Sequence, residues 1–236
     1  MTRLMPPWSV RDRLEEGRNL RGLVVEIPSP AAVEIAGIAD CDIVIIDPSH
    51  PGMTRETVEG MVRAAWGQGL CALTVAPSEP WAVMTALDTG AHGVVLTGIR
   101  DAKSARAAVA MTRFPPHGRR EANKPLRFQF MTMEQFANWT SSNIFVAILI
   151  GGDMAAADVV EIAGVPGVDA IMVAPGLLGT ADIDARAAIS AATGATLIAL
   201  VGDLPDMPQP HIALAGSDAA ILGTAYRDTA DYLRTG

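Results

Sequence analysis

Short β-branched runs alternate with helix-like stretches along most of the chain, and this alternation restricts the fold more than any other feature. Most of the runs are apolar on both faces, as expected for parallel strands that are covered by helices. Eight of them can be read as strands, at residues 21–27, 42–46, 71–76, 93–97, 144–150, 170–173, 195–201 and 219–222. The pattern therefore predicts an α/β fold, a closed (β/α)8 TIM barrel that is abbreviated in its last quarter.

Length and composition agree with a single barrel domain spanning residues 1–236. Half of the 236 residues are hydrophobic but only 5% are aromatic, so the core is expected to consist mainly of Ala, Val, Ile and Leu.

The alternation of strands and helices breaks at 115–143, which carries an aromatic cluster. We interpret this segment as an ordered excursion over the barrel mouth or as an oligomer contact, with an ordinary packed loop as the alternative.

Charge and cysteine content limit the partners and the compartment. The formal net charge of −8 disfavours nucleic acid, because nucleic-acid binders usually present a basic surface. No uninterrupted apolar segment approaches the roughly 18 residues of a membrane span, so no membrane association is expected. Cys41 and Cys71 have no metal-like spacing and fit buried free thiols in a reducing cytoplasm.

An acid and a histidine follow the second predicted strand directly. Asp47 and His50 stand where the strand gives way to Pro51-Gly52, and the carboxyl ends of parallel strands are where α/β barrels carry out chemistry. A carboxylate that accepts a hydrogen bond from one ring nitrogen can raise the basicity of the other, which makes His50 a candidate general base. The alternative is that Asp47 caps a turn and His50 only fills a loop.

Other polar groups follow predicted strands at the same end. Glu26, Asp153 and Asp203 could form a metal site, although such carboxylates in an acidic protein more often cap turns or face solvent. Arg100 follows the fourth strand and could bind a substrate carboxylate, or could serve only at the surface. His92 and His117 fit core or surface roles better than catalysis. The backbone N–H groups of Gly151, Gly152 and Gly176, the last of which follows Pro175, could approach an anion.

Several motifs resemble the HpcH/HpaI aldolase family. They are Asp47-Pro48-Ser49-His50, the run 90–120 with its Pro115-Pro116-His117-Gly118-Arg119-Arg120 end, and the segment 167–179. The resemblance spans roughly residues 22–223. It implies a class II pyruvate aldolase on a TIM barrel, usually hexameric, that uses Mg²⁺ or Mn²⁺ to hold and polarise a 2-oxo acid.

Carried over position by position, the family pattern is only partly present. The acid–base pair falls on His50 and Asp47, which match. The strand-3 arginine that binds the 2-oxo acid falls on Ala76, and the strand-5 glutamine and metal-binding glutamate fall on Leu149 and Gly151. The second metal carboxylate falls on Leu177. The resemblance therefore implies a divergent member without the family's metal ligands, whose substrate would contact Gly151, Gly152, Pro175, Gly176, Leu177 and Arg100.

Two functions remain open at this point. One is a metal-independent aldolase or lyase that acts on a small 2-oxo acid or related carboxylate, with His50 moving a proton. The other is a non-catalytic binding or scaffold protein derived from an aldolase. In both cases we expect a homo-oligomer, because the aromatic cluster and short final helices would otherwise expose apolar surface.

Overall fold

Eight parallel strands close into a barrel in their order along the chain. The structure is a computed structural model that describes residues 9–121, 123–151, 154–173, 195–200 and 211–235. The strands are β1 Leu20–Val25, β2 Ile43–Ile46, β3 Cys71–Pro77, β4 Gly93–Thr97, β5 Phe145–Ile150, β6 Ala170–Val173, β7 Thr196–Leu200 and β8 His211–Ser217. The predicted TIM barrel is confirmed.

Helices follow the strands, and their starts agree with the capping signals in the sequence. The Ser29 side chain caps α2, Thr54 caps α3, and Asp101 forms a capping box with Ser104 at α5. None of the helices within the described ranges could span a membrane. The described helices are α1 Val10–Glu15, α2 Pro30–Ile38, α3 Arg55–Gln68, α4 Pro80–Asp88, α5 Ala102–Thr112, α6 Met133–Asn143, α7 Ala156–Ala163 and α8 Asp218–Thr235.

The prediction for the eighth strand is wrong. Residues 219–222 lie in α8, and the strand is His211–Ser217, which pairs with β1 through Leu20 and Ile212. The apolar run 219–222 belongs to a helix whose apolar residues recur along one side, a spacing that a four-residue window does not reveal. With 18 residues, α8 is not shortened. The helix predicted at 183–193 lies outside the described residues.

Alternate side chains of each strand enter two different cores. One set fills the barrel interior, and we call it the interior cluster; it includes Leu20, Ile45, Leu73, Val95 and Ala147. The other set points outward and packs beneath the helices in two outer clusters. This two-sided burial explains why the strands read as continuous apolar runs.

The end of the barrel at which the strands begin is closed by α1. Val10 and Leu14 of this helix are buried in the interior cluster. Arg11 holds the helix in place with two hydrogen bonds to the Asp169 carboxylate, of 2.7 Å and 2.8 Å. It also donates to the carbonyl oxygen of Ile144, just before β5. A ligand in the barrel would therefore have to be reached from the opposite end, at which the strands finish.

The excursion 115–143 packs at the end of the barrel where the strands begin, so the predicted position over the mouth is wrong. Of the predicted aromatic cluster, Phe128, Phe136 and Trp139 are buried in an outer cluster, whereas Phe130 is 83% exposed. The buried Arg120 donates to Asp88 Oδ1 at 3.0 Å, at the end of α4 that precedes β4. The connection from α5 to β5 must lie at this end, because helices return the chain to the start of the next strand.

We predict that Gly93→Ala destabilises the barrel. A Cβ at Gly93 would overlap with the carbonyl oxygen of Phe145 on the neighbouring strand and crowd Leu73 in the interior. Urea unfolding should show a loss of at least about 2 kcal/mol in the free energy of unfolding. Gly67→Ala is the matched control, because this exposed position in α3 has open space around it. That variant should gain about 0.5 to 1 kcal/mol. Equal stability of the Gly93 variant and the wild type would contradict the close approach.

Candidate active site

The candidate site lies at the end of the barrel where β1 and β2 finish. β2 ends at Ile46, and the backbone N–H of Asp47 donates to the carbonyl oxygen of Val25 on β1. Glu26 directly follows Val25, so this bond brings two acidic residues to adjacent positions at the strand ends. His50 follows three residues after Asp47, in the turn that leads to α3. Sheet pairing therefore places all three side chains at the mouth.

His50 lies between two carboxylates. Its Nε2 is 3.5 Å from Glu26 Oε1 and 3.8 Å from Asp47 Oδ2. Both distances are within ion-pair range but longer than a hydrogen bond. The three side chains are partly exposed, with 39% of the His50 side chain accessible against 25% for Glu26 and 23% for Asp47. The predicted proximity of Asp47 and His50 is present, but the predicted hydrogen bond between them is not formed.

Asp47 has a second interaction that the alternative interpretation anticipated. Its Oδ1 accepts a hydrogen bond of 3.0 Å from the backbone N–H of Ser49. This is the local turn that an aspartate forms with the backbone two residues further on. Asp47 therefore shapes the turn that carries His50, in addition to facing the ring with its other oxygen.

Asp218 is a residue of the mouth that the sequence analysis missed. Its Oδ1 accepts a 2.8 Å hydrogen bond from the backbone N–H of Glu26, and both of its oxygens lie 3.3 Å from the backbone nitrogen of Ile27. The first residue of α8 thus fixes the backbone of the loop that carries Glu26. The signal was an acid shortly after the apolar run 212–215, but the misplaced eighth strand concealed that Asp218 follows a strand.

Two side chains that point into the barrel near the mouth are apolar. Val75 of β3 and Leu149 of β5 pack against the interior cluster. Ala76, in contrast, belongs to an outer cluster. An arginine that reaches a ligand at the mouth needs an inward position, so its counterpart here is Val75, and the assignment to Ala76 is corrected by one residue. Neither residue carries a charge.

The remaining predicted site residues are dispersed or undescribed. Arg100 is exposed just before α5, where its backbone N–H donates to Ser104 Oγ at 3.2 Å. Gly151 is exposed directly after β5. No described contact joins either residue to His50. Six predicted residues lie outside the described ranges: Gly152, Asp153, Pro175, Gly176, Leu177 and Asp203.

A cavity of about 240 Å³ lies close to the mouth but outside the barrel. It is lined by Pro48 and Met53 from the loop after β2 and by the outward-facing Thr74 and Ala76 of β3. Asp47 and His50 do not line it. The cavity is therefore a separate feature from the pair.

His92 and His117 have the structural roles that were expected for them. His117 is exposed in the loop after α5. His92 is buried, accepts a hydrogen bond from the Ala72 backbone at its Nδ1, and stacks on Trp66 with 4.2 Å between ring centroids. The Arg127 guanidinium lies over the Trp66 ring, 3.1 Å from the ring centroid. His92 is therefore part of the core, as expected.

The comparison with known families agrees with this geometry. The sequence model of the HpcH/HpaI aldolase/citrate lyase family matches residues 21–231. The chain belongs to this family.

Relatives resemble the chain at modest identity. The 5-keto-4-deoxy-D-glucarate aldolase of Salmonella paratyphi A is 28% identical over 157 residues, which are 66% of this chain and 61% of that protein. The chain thus matches less than two thirds of the length of this curated relative. A HpcH/HpaI aldolase/citrate lyase family protein from Burkholderia cenocepacia J2315 is 25% identical with a TM-score of 0.81, covering 95% of this chain and 98% of the other.

A third protein supports the fold alone. The structure of a HpcH/HpaI aldolase from Desulfitobacterium hafniense DCB-2 has a TM-score of 0.83 at 20% identity and covers 96% of each chain. Together with the closed barrel, this similarity confirms the TIM barrel architecture.

The family implies a divalent metal, and the described residues do not fit one. Gly151 offers no side-chain donor at the position of the metal-binding glutamate, and Leu149 beside it is apolar. Within the described ranges, no group of three His, Cys, Asp or Glu side chains could hold a metal ion. Hard divalent cations require several oxygen ligands, which this part of the chain does not supply.

Burial of His92 predicts a specific sensitivity to acid. Burial, together with the nearby Arg127 charge, lowers the pKa of His92 to about 3. Below about pH 6.5, the His92 ring is protonated in the unfolded chain but stays neutral in the folded chain. The free energy of unfolding should therefore fall as the pH drops below this value. Between about pH 6 and pH 4, this residue should contribute a slope of up to about 1.4 kcal/mol per pH unit to the unfolding free energy.

Replacement of the histidine tests this slope. His92→Gln removes the titrating ring and should flatten the dependence of urea-unfolding free energy on pH, whatever its effect on absolute stability. His117→Gln, at an exposed position, should leave the slope as in the wild type. Parallel curves for His92→Gln and the wild type would show that His92 is not held neutral by the fold.

Proposed function

We propose that the protein is a carbon–carbon lyase of the aldolase type that acts on a small 2-oxo acid by acid–base chemistry at His50. The observation that carries the proposal is the imidazole held between two carboxylates at the mouth of a family barrel. An imidazole that faces carboxylates can act as a general acid or base toward a bound substrate. The kinship with a 5-keto-4-deoxy-D-glucarate aldolase supports a 2-oxo acid as the substrate class.

In the proposed reaction, His50 handles the proton of an aldol cleavage. As the base, His50 removes the proton from the 4-hydroxyl group of a 4-hydroxy-2-oxo acid. The bond between C3 and C4 then breaks, and an aldehyde leaves. The electron pair remains on the pyruvate fragment as its enolate, which His50 then protonates at C3. In the reverse direction, His50 takes the C3 proton of pyruvate. Enolate charge would be stabilised by backbone N–H groups near Gly151 and by the Arg100 side chain.

We also propose that this chemistry proceeds without the family's metal. The support is the residue set: glycine at the position of one metal carboxylate, leucine at that of the other, and no guanidinium at the end of β3. Removing two carboxylates removes the groups that compensate a cation for its lost hydration. Cleavage of ordinary 4-hydroxy-2-oxo acids should consequently be slow.

A non-catalytic binding or scaffold role is the second candidate. It is favoured by Val75 and Leu149, which make the inner wall near the mouth apolar where the family carries polar groups. A protein of this kind would bind a carboxylate without turning it over. A direct assay of proton transfer distinguishes the two candidates.

We predict that the protein exchanges the C3 protons of pyruvate with solvent. In D₂O, the methyl signal of pyruvate in the proton NMR spectrum should decay in the presence of the protein. His50→Gln should slow this decay by about 100-fold, the typical contribution of a general base. His117→Gln is the matched control and should exchange at the wild-type rate. EDTA should leave the rate unchanged.

Each contrary result has a separate meaning. Undiminished exchange in His50→Gln would remove His50 from the mechanism. Abolition by EDTA, with recovery on addition of Mn²⁺, would contradict metal independence while leaving the acid–base role intact. A complete lack of exchange by the wild type, with pyruvate still bound, would favour the non-catalytic alternative.

The predicted cytoplasmic location remains a proposal, supported by the free thiols of Cys41 and Cys71.

We further propose a homo-oligomer, for a reason other than the aromatic cluster. Every residue from 219 to 234 of α8 is exposed, and Leu222, Tyr226 and Leu233 recur along one side of this helix. Ile35 and Ile38 of α2 are also exposed, at 65% and 77%. Apolar surface of this extent is typical of an interface between subunits.

Light scattering tests this proposal directly. At micromolar concentration, the measured mass should be a multiple of the chain mass of 24.7 kDa. The double substitution Tyr226→Glu and Leu233→Glu should lower the mass, because charge disfavours burial of this surface. A wild-type protein that remains at 24.7 kDa would exclude the oligomer.

A further inference from the structure

We propose that Glu26, a residue with no counterpart among the family positions carried over, is the main positioning carboxylate of His50. The proposal reassigns to Glu26 the role that the sequence pattern gave to Asp47. Its effect on catalysis rests on the proposed function of His50. The assignment of the ring's partner stands on geometry alone.

Distance favours Glu26. Its Oε1 is 3.5 Å from His50 Nε2, compared with 3.8 Å for Asp47 Oδ2. Both carboxylates face the same ring nitrogen, so they compete for one N–H donor. Hydrogen bonds of catalytic groups are often long without substrate and shorten when it binds, and the nearer carboxylate needs the smaller movement.

Local bonding also favours Glu26. Asp47 Oδ1 is held by the Ser49 backbone, which ties the orientation of the Asp47 carboxylate to the turn. A rotation that brings Asp47 Oδ2 closer to the ring would strain this bond. Asp47 is thus suited to shape the loop, and its charge acts on His50 from a slightly greater distance.

The backbone of Glu26 is fixed, which a positioning residue requires. Asp218 accepts a hydrogen bond from the Glu26 N–H at 2.8 Å and lies within 3.3 Å of the Ile27 nitrogen. The first turn of α8 therefore holds the end of β1 in register with the turn that carries His50.

This arrangement assigns the two nitrogens of the ring. Nε2, which faces both carboxylates, carries the proton of the neutral imidazole. Nδ1 is then the nitrogen that exchanges a proton with the substrate. Glu26 does not touch the reacting atoms and acts only through the ring, so it is a positioning residue and not a catalytic one.

The test compares Glu26→Gln, Glu26→Ala and Asp47→Asn in the pyruvate exchange assay. We expect Glu26→Ala to lower kcat by about tenfold with little change in KM, and Glu26→Gln, which keeps an acceptor oxygen, to recover part of the loss. Asp47→Asn should have the smaller effect, because asparagine can form the same turn. Glu79→Gln is the matched control, since Glu79 also follows a strand but makes no side-chain capping bond.

A second measurement does not depend on turnover. With histidine labelled with ¹⁵N, the ring nitrogens of His50 report which one carries the proton. We expect the proton on Nε2, and a larger shift of the Nε2 signal in Glu26→Ala than in Asp47→Asn. A proton on Nδ1, or a larger response to Asp47→Asn, would overturn the assignment. If the wild type shows no exchange, the proposed function fails, while the ¹⁵N spectra still decide this inference.

Discussion

The site depends on closure of the barrel between its first and last strands. β1 pairs with β8 from Leu20 to Val24, and the register shifts between Gly22 and Val24. Directly after the paired segment, Asp218 at the start of α8 holds the backbone of Glu26. β1 in turn accepts the N–H of Asp47 from the β2 side. Closure therefore fixes the backbone of Glu26, while the pairing of β1 with β2 sets its position relative to the loop that carries His50.

The apolar interior of this barrel is compatible with uncharged side chains near its mouth. The interior cluster is apolar and extends toward the mouth through Val24, Val75 and Leu149. An arginine or glutamate near these positions would need a partner or solvent to offset the cost of burial. Apolar side chains avoid that cost by packing against their neighbours. Val75 and Leu149 therefore continue the apolar packing of the interior up to the mouth.

Much of the fold could be predicted from sequence because its signals are local. β4 and β6 have the predicted bounds, since each is short, apolar and preceded by a turn. The eighth strand was misplaced because His211–Ser217 contains small and polar residues, whereas the start of α8 is apolar. That error also concealed Asp218. The excursion was misplaced because an aromatic cluster has the same composition whether it is buried or exposed.

Within the site, the sequence identifies the residues but not their pairing. Asp47 and His50 are three residues apart, which suggests a direct pair, whereas the contact between Glu26 and His50 depends on how β1 and β2 align. The register Val25 to Ile46 fixes this alignment. Contacts between strands of this kind cannot be obtained from spacing along one strand, because a shift by one residue would reverse the side chains.

One carboxylate at the closed end of the barrel is paired more completely than the charged groups at the mouth. Asp169 accepts two hydrogen bonds from Arg11 and one from the backbone of Val146, so its charge is fully compensated. At the mouth, Glu26, Asp47 and His50 remain partly exposed at 3.5 Å to 3.8 Å. Fully paired charges stabilise a fold, whereas incompletely paired ones can still accept a proton or a ligand. The mouth therefore keeps charged groups that a ligand entering the open end of the barrel could contact.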